Sequence, residues 1–136
     1  MSSGYVTGSS VDTRHRELCH ALFDALERGD VDGVARCYAP EMVMWANFTG
    51  LAQTRDENLA SIEKGKELLR RRTYDDRQIN TFDDGFVAQY TVTVVTHDGK
   101  KRALWACLVA EVHDGLITKL FDYLDTSKFG RAFGSG

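Results

Sequence analysis

Apolar residues recur at helical spacing between Asp12 and Arg28, where Leu18, Ala21, Leu22, Ala25 and Leu26 form a stripe that Cys19 and Phe23 widen. That pattern predicts a helix packed on a broad surface and stopped by Gly29-Asp30. A shorter helix runs on to about Tyr38, with Val34 and Cys37 turned inward, and ends at Ala39-Pro40 because a proline ring cannot continue it. Glu41 to Phe48 reads as a strand. Thr54-x-x-Glu57 is a capping box, and the helix behind it carries Leu59, Ile62, Leu68 and Leu69 on one side up to Arg72.

Four β-like runs follow: Thr73 to Asp83, Phe86 to Thr96, Lys101 to Val112 and Leu116 to Leu124. His97-Asp98-Gly99-Lys100 and His113-Asp114-Gly115 are hairpin signals between the later runs. Helices grouped ahead of hairpin-joined strands predict an α+β fold with a largely antiparallel sheet. The chain divides into a tail over 1–11, one domain over 12–126 and a second tail over 127–136.

Two of the late runs are apolar on both faces. In the third, Leu104, Ala106, Leu108 and Ala110 alternate with Trp105, Cys107 and Val109. A sheet covered on one side only would carry polar residues on the other, so both faces are expected to be covered. The second cover is expected to be another copy of the chain, a homodimer. In the second run Tyr90, Val92 and Val94 alternate with Gln89, Thr91 and Thr93. Either the polar set meets water, or it lines a half-polar cavity while the apolar set joins the dimer contact. The second arrangement places Tyr90, Val92, Trp105, Cys107, Phe121 and Tyr123 in the interface.

Charge and cysteine content narrow the class. A formal net charge of −3 argues against a nucleic-acid binder, and the basic stretch Lys64 to Arg72 reads as the solvated end of a helix. No apolar run approaches a membrane span, and the Ser/Gly-rich start does not read as a signal peptide. Three cysteines without Cys-x-x-Cys spacing read as reduced thiols of a cytoplasmic protein, and with four scattered histidines they predict no metal site. One position remains for chemistry. Asp122 stands inside an apolar strand, where a carboxylate is costly unless it is paired or used.

Leu22 to Pro40, Met44-Trp45-Ala46-Asn47 and the closing Asp114 to Asp125 resemble the nuclear transport factor 2-like superfamily. Within it the chain is most similar to the branch of SnoaL-like polyketide cyclases, limonene-epoxide hydrolases and ketosteroid isomerase relatives. The resemblance implies a cone: a curved mixed or antiparallel sheet wrapped around N-terminal helices, enclosing a deep apolar pocket, with dimerisation on the outer sheet face. By the epoxide-hydrolase pattern, Trp45 and Asn47 match an aromatic-x-Asn pair that holds water, and Asp122 matches the acid. That pattern's Arg-x-Asp falls on Gln89 and Thr91, neither of them ionisable, which counts against hydrolysis by an Asp-Arg-Asp arrangement.

The expected chemistry is proton abstraction beside a carbonyl, by an isomerase, cyclase or related lyase that needs no cofactor and acts on an apolar, polycyclic-ketone type of molecule. Asp122 is the expected base, its pKa raised by burial, and Asn47 its partner. Trp45, Gln89, Thr91, Leu104, Ala106, Leu124 and Phe129 are the expected substrate contacts. Two alternatives stay open on the sequence: a non-catalytic module that binds an apolar ligand or dimerises, and epoxide-hydrolase-like activation of one water between Asn47 and Asp122.

Overall fold

The computed structural model describes residues 2–128, with side chains from Ser10 to Ser127. Helix α1 spans Ser2–Arg28, so its backbone is already helical ten residues ahead of Asp12, where a tail is expected; no proline interrupts the extension. Gly29, at φ 68°, closes the helix in the left-handed conformation that glycine adopts without strain. Helix α2, Val31–Cys37, is capped by Asp30, whose carboxylate accepts the Gly33 N–H at 2.9 Å. Strand β1, Tyr38–Ala46, follows at once, with Pro40 in the irregular stretch of its pairing between Tyr38 and Val43.

A short strand β2, Ala52–Thr54, leads into helix α3, Arg55–Gly65. The capping box forms reciprocally: Glu57 N–H donates to Thr54 Oγ1 at 3.2 Å and Thr54 N–H to Glu57 Oε1 at 2.9 Å. This helix stops at Gly65, seven residues before the expected end. Tight turns carry the chain over, Glu67 N–H to Lys64 O and Leu68 N–H to Gly65 O, and Arg71 and Arg72 open strand β3, Arg71–Phe82. Arg72 is therefore a strand residue and not a helix-terminal cation.

Strands β4 (Gly85–Val95), β5 (Lys101–His113) and β6 (Leu116–Leu124) complete one six-stranded sheet in the order β2-β1-β6-β5-β4-β3. Its β1–β6 pair is parallel and the rest are antiparallel. A two-residue turn with positive φ at Asp114 (53°) and Gly115 (77°) joins β5 to β6, as a type I′ hairpin requires. Beyond it the pairing shifts between Glu111 and Val112, leaving Thr118 as an extra residue on β6. Ile117 and Leu120 are consequently both buried although three residues apart.

Register settles which side chains share the inner face. Tyr90 lies opposite Ala106, which lies opposite Leu124; Val92 lies opposite Leu104 and Tyr74; Leu108 lies opposite Asp122, which lies opposite Ala46. Against this face α1 packs Cys19, Leu22, Phe23 and Ala25, all at most 1% exposed. Phe23 stacks on Tyr74 with ring centroids 4.9 Å apart and tilts against Tyr90 at 4.7 Å. His15 is also buried, its Nε2 3.1 Å from the Asp83 carbonyl oxygen. Among the described residues no helix is long and apolar enough to cross a membrane.

Candidate functional site

Over the inner sheet face, beside the turn that leads from α3 into β3, lies a cavity of about 700 Å³, lined mainly by Leu68, Leu69, Val92, Val94, Leu104 and Leu124. It adjoins a second hollow of about 300 Å³ reaching under α1 and α3. Phe48, Arg72, Tyr74, Tyr90 and Asp122 border both. Asp122 is the carboxylate at that junction. It is half-buried, and its remaining accessible surface opens onto the hollows.

Burial pushes the Asp122 carboxyl up from 3.8 to about 6, while the Arg72 guanidinium and a hydrogen bond from Tyr90 hold it from rising further. An acid at that value changes charge near neutral pH, the condition for efficient general acid–base work. Tyr74 and Tyr90 border both hollows with it, and Tyr38 borders the smaller one. Tyr38, Tyr74 and Tyr90 are held protonated, by burial first, with the negative charge of Asp122 contributing at each. At the far end of the smaller hollow, Tyr38 O–H donates to Asn58 Oδ1 at 2.7 Å, Asn58 Nδ2 to Gln53 Oε1 at 3.1 Å, and Gln53 Nε2 to Ser61 at 2.9 Å. A buried amide thus has its partners.

The other expected site residues divide sharply. Leu104 and Leu124 line the larger cavity beside Asp122, and Ala106 sits in the same row between Tyr90 and Leu124. Gln89 and Thr91 do not join them. They pair with Cys107 and Trp105 and face outward, where they border a shallow groove with Asp76 and Gln78. Conversely Tyr90 and Val92, expected in a dimer contact, are 8% exposed and wall the cavity. Trp45 is likewise outward: it pairs with Phe121 and meets the Tyr123 ring at 5.6 Å, because Met44 and Ala46 take the inward positions of β1. Phe129 lies outside the described residues.

Asn47, expected to hold water, is exposed and bonds the neighbouring strand. Its Nδ2 donates to Leu124 O at 3.2 Å and its Oδ1 accepts Leu124 N–H at 2.8 Å, while its own N–H donates to Asp122 O at 3.0 Å. The amide extends the parallel β1–β6 ladder by one rung and fixes the strand end that carries Asp122. Asn47→Ala is expected to lower stability by about 1 kcal/mol in urea unfolding, with turnover changed less than threefold. A folded variant with a tenfold loss of turnover would restore a direct role.

Arg72, Tyr90, Tyr74, Tyr38 and Asn58 thus line the candidate site without having been expected there from the sequence. The thiols stand apart from the chemistry: Cys19, Cys37 and Cys107 are free, and burial pushes Cys19 up to about 12.

A helix-roofed cone with one acid at the centre of its hollow defines the structural class. The chain belongs to the SnoaL-like domain family of the nuclear transport factor 2-like superfamily, whose model matches residues 19–120. Solved structures share the fold at low identity. A proposed polyketide cyclase from Xanthomonas campestris pv. campestris is 22% identical with a TM-score of 0.78, over 86% of this chain and 94% of that one. AclR, a proposed hydroxylase from Streptomyces galilaeus, is 15% identical at 0.80, over 91% and 98%. A proposed isomerase from Bacillus subtilis is 12% identical at 0.80, over 93% and 96%. Among curated proteins none matches the chain.

Proposed function

We propose that the protein is a cofactor-independent acid–base enzyme of the cyclase or isomerase type, taking an apolar carbonyl compound into the cavity. Asp122 removes a proton from the carbon next to the carbonyl and returns it elsewhere on the skeleton, or the carbanion adds to a second carbonyl carbon of the same molecule, closing a ring as that C=O bond opens to an alkoxide that takes the proton back from Asp122. The observation that carries this reading is a single carboxyl, held near pH 6, at the junction of two largely apolar hollows. Charge developing on the substrate oxygen would meet the neutral phenol of Tyr74, which borders both hollows and stabilises an enolate by donating a hydrogen bond without giving up its proton. The cyclase and isomerase names of the structural neighbours accord with this class of chemistry.

Water activation shared by Asn47 and Asp122 is the second reading, less favoured because the Leu124 backbone takes one donor and one acceptor of the Asn47 amide. The deciding experiment is exchange of carbon-bound hydrogen in D2O, followed by NMR, for cyclic ketones that bind the protein. Deuterium should appear next to the carbonyl, or in a rearranged product at the carbon that receives the proton, and faster with enzyme than without. Ligands that bind and never exchange would make the cavity a binding site without catalysis.

The reading includes a homodimer through the outer sheet face, where Trp45, Trp105, Cys107, Phe121 and Tyr123 gather and Trp105 is 74% exposed. Trp105→Glu should convert a sedimenting dimer to monomer while leaving the circular dichroism of the fold intact. A wild-type chain that sediments as a monomer at micromolar concentration ends the dimer proposal.

A further inference from the structure

Arg72 is half-buried and borders both hollows, and a guanidinium that cannot be deprotonated calls for a counter-charge where it is partly withdrawn from water. Among the described residues no carboxylate comes within ion-pair distance of it. Its side chain lies against Gly65, 3.6 Å from where a methyl group would sit, and hydrogen-bonds Tyr74. One phenol uses one of five N–H donors. Asp122 feels the charge of Arg72 but stands beyond contact, so the fork remains available to something entering the cavity.

The surroundings carry the same sign. Between residues 63 and 72 five cations stand against two carboxylates, and between 98 and 102 three against one, in a chain whose formal charge is −3. These segments meet at one end of the cone: Arg71 pairs with Val95 and Arg72 with Val94, which in turn pair with Lys101 and Arg102. Gly65, Leu69, Arg72 and Val94 of the same region line the larger cavity. Asp125, after Leu124, is the acid at the adjoining end of β6. A basic entrance leading to a guanidinium raises the local concentration of anions.

We propose that the ligand of this cavity is an organic anion, an apolar ring skeleton bearing a carboxylate whose oxygens pair with the Arg72 fork. The proposal rests on the cavity being the ligand site and adds the charge of what occupies it. A carboxylate matches the planar guanidinium with two parallel hydrogen bonds, whereas a carboxamide of the same shape presents one acceptor and a repelled NH2 group. The rest of the skeleton lies against Val92, Leu104 and Leu124.

The test is calorimetric titration of the wild-type protein at pH 7.5 with 2-naphthoate and 2-naphthamide, equal in shape and different in charge. The acid should bind at least tenfold more tightly, and 0.5 M NaCl should weaken the acid alone. Arg72→Met should abolish the preference while leaving the amide within about twofold, and Asp122→Asn should retain it. Equal affinities, a preference that survives Arg72→Met, or no binding of either probe at millimolar concentration would overturn the proposal. Because no turnover is measured, Asp122 can fail the deuterium experiment while this preference stands, and the reverse.

Discussion

Asp122→Asn should reduce turnover about a thousandfold and at the same time make the protein more stable at pH 7. The first effect follows from removing the general base, whose contribution spans roughly two to four orders of magnitude in rate. The second follows from the cost of ionising that carboxyl where it sits. In the unfolded chain Asp122 loses its proton near 3.8, and in the folded chain near 6. Below pH 4 both states hold the proton and the group contributes nothing. Between pH 4 and 6 the folded state holds it while the unfolded state releases it, so stability falls as pH rises. Above pH 6 the penalty is complete, at most about 3 kcal/mol.

Asparagine escapes that penalty and still offers an oxygen to the Tyr90 hydroxyl. A gain of about 2 kcal/mol at pH 7.5, shrinking to nothing near pH 4, is the expected result of urea unfolding across that range. The wild-type pH-rate profile should rise through the same value, near 6, as the base loses its proton. A variant less stable than wild type at pH 7.5 would mean that the carboxylate is bound more favourably than its surroundings indicate. Equal turnover in the variant would remove Asp122 from the chemistry altogether.

The helices and the late hairpins were legible because their signals are local: the stripe of Leu18, Leu22 and Ala25, the Thr54-Glu57 box and the turns before Lys101 and Leu116. Which face of a strand looks inward is not local where both faces are apolar. Trp45 and Met44 are equally plausible walls until pairing with Leu120 turns Met44 inward. For β4 the information was present but needed the hairpin to be followed through. Its partners are symmetric about Asp98, so Leu104 in the cavity entails Val92, and Ala106 entails Tyr90. Gln89 and Thr91 cannot share a wall with them. Arg72 was hidden differently: the early stop at Gly65 moved it from a helix end to a strand whose side chains enter the hollow.

That dependence on register makes Gly85 the position where a single methyl group should do most damage. It is buried at the start of β4, opposite Glu111, and a Cβ placed on it would land on the Ala110 carbonyl oxygen and 3.0 Å from the Phe82 ring. Its φ is ordinary, so the constraint is space and not backbone conformation. Neither obstacle yields readily, because the carbonyl belongs to a central strand and the ring closes the β3–β4 hairpin. Gly85→Ala must push β4 away from β5 at this end, where Phe86, 0% exposed, pairs with Ala110. A loss of about 3 kcal/mol in urea unfolding is expected, at the upper end of what overpacking a core produces. Since the row Ala88, Tyr90 and Val92 starts from this contact, the Asp122 titration followed by NMR should also move from its wild-type value. A variant unchanged in both would show that β4 does not approach β5 this closely, and the placement of Tyr90 beside Asp122 would lose its anchor.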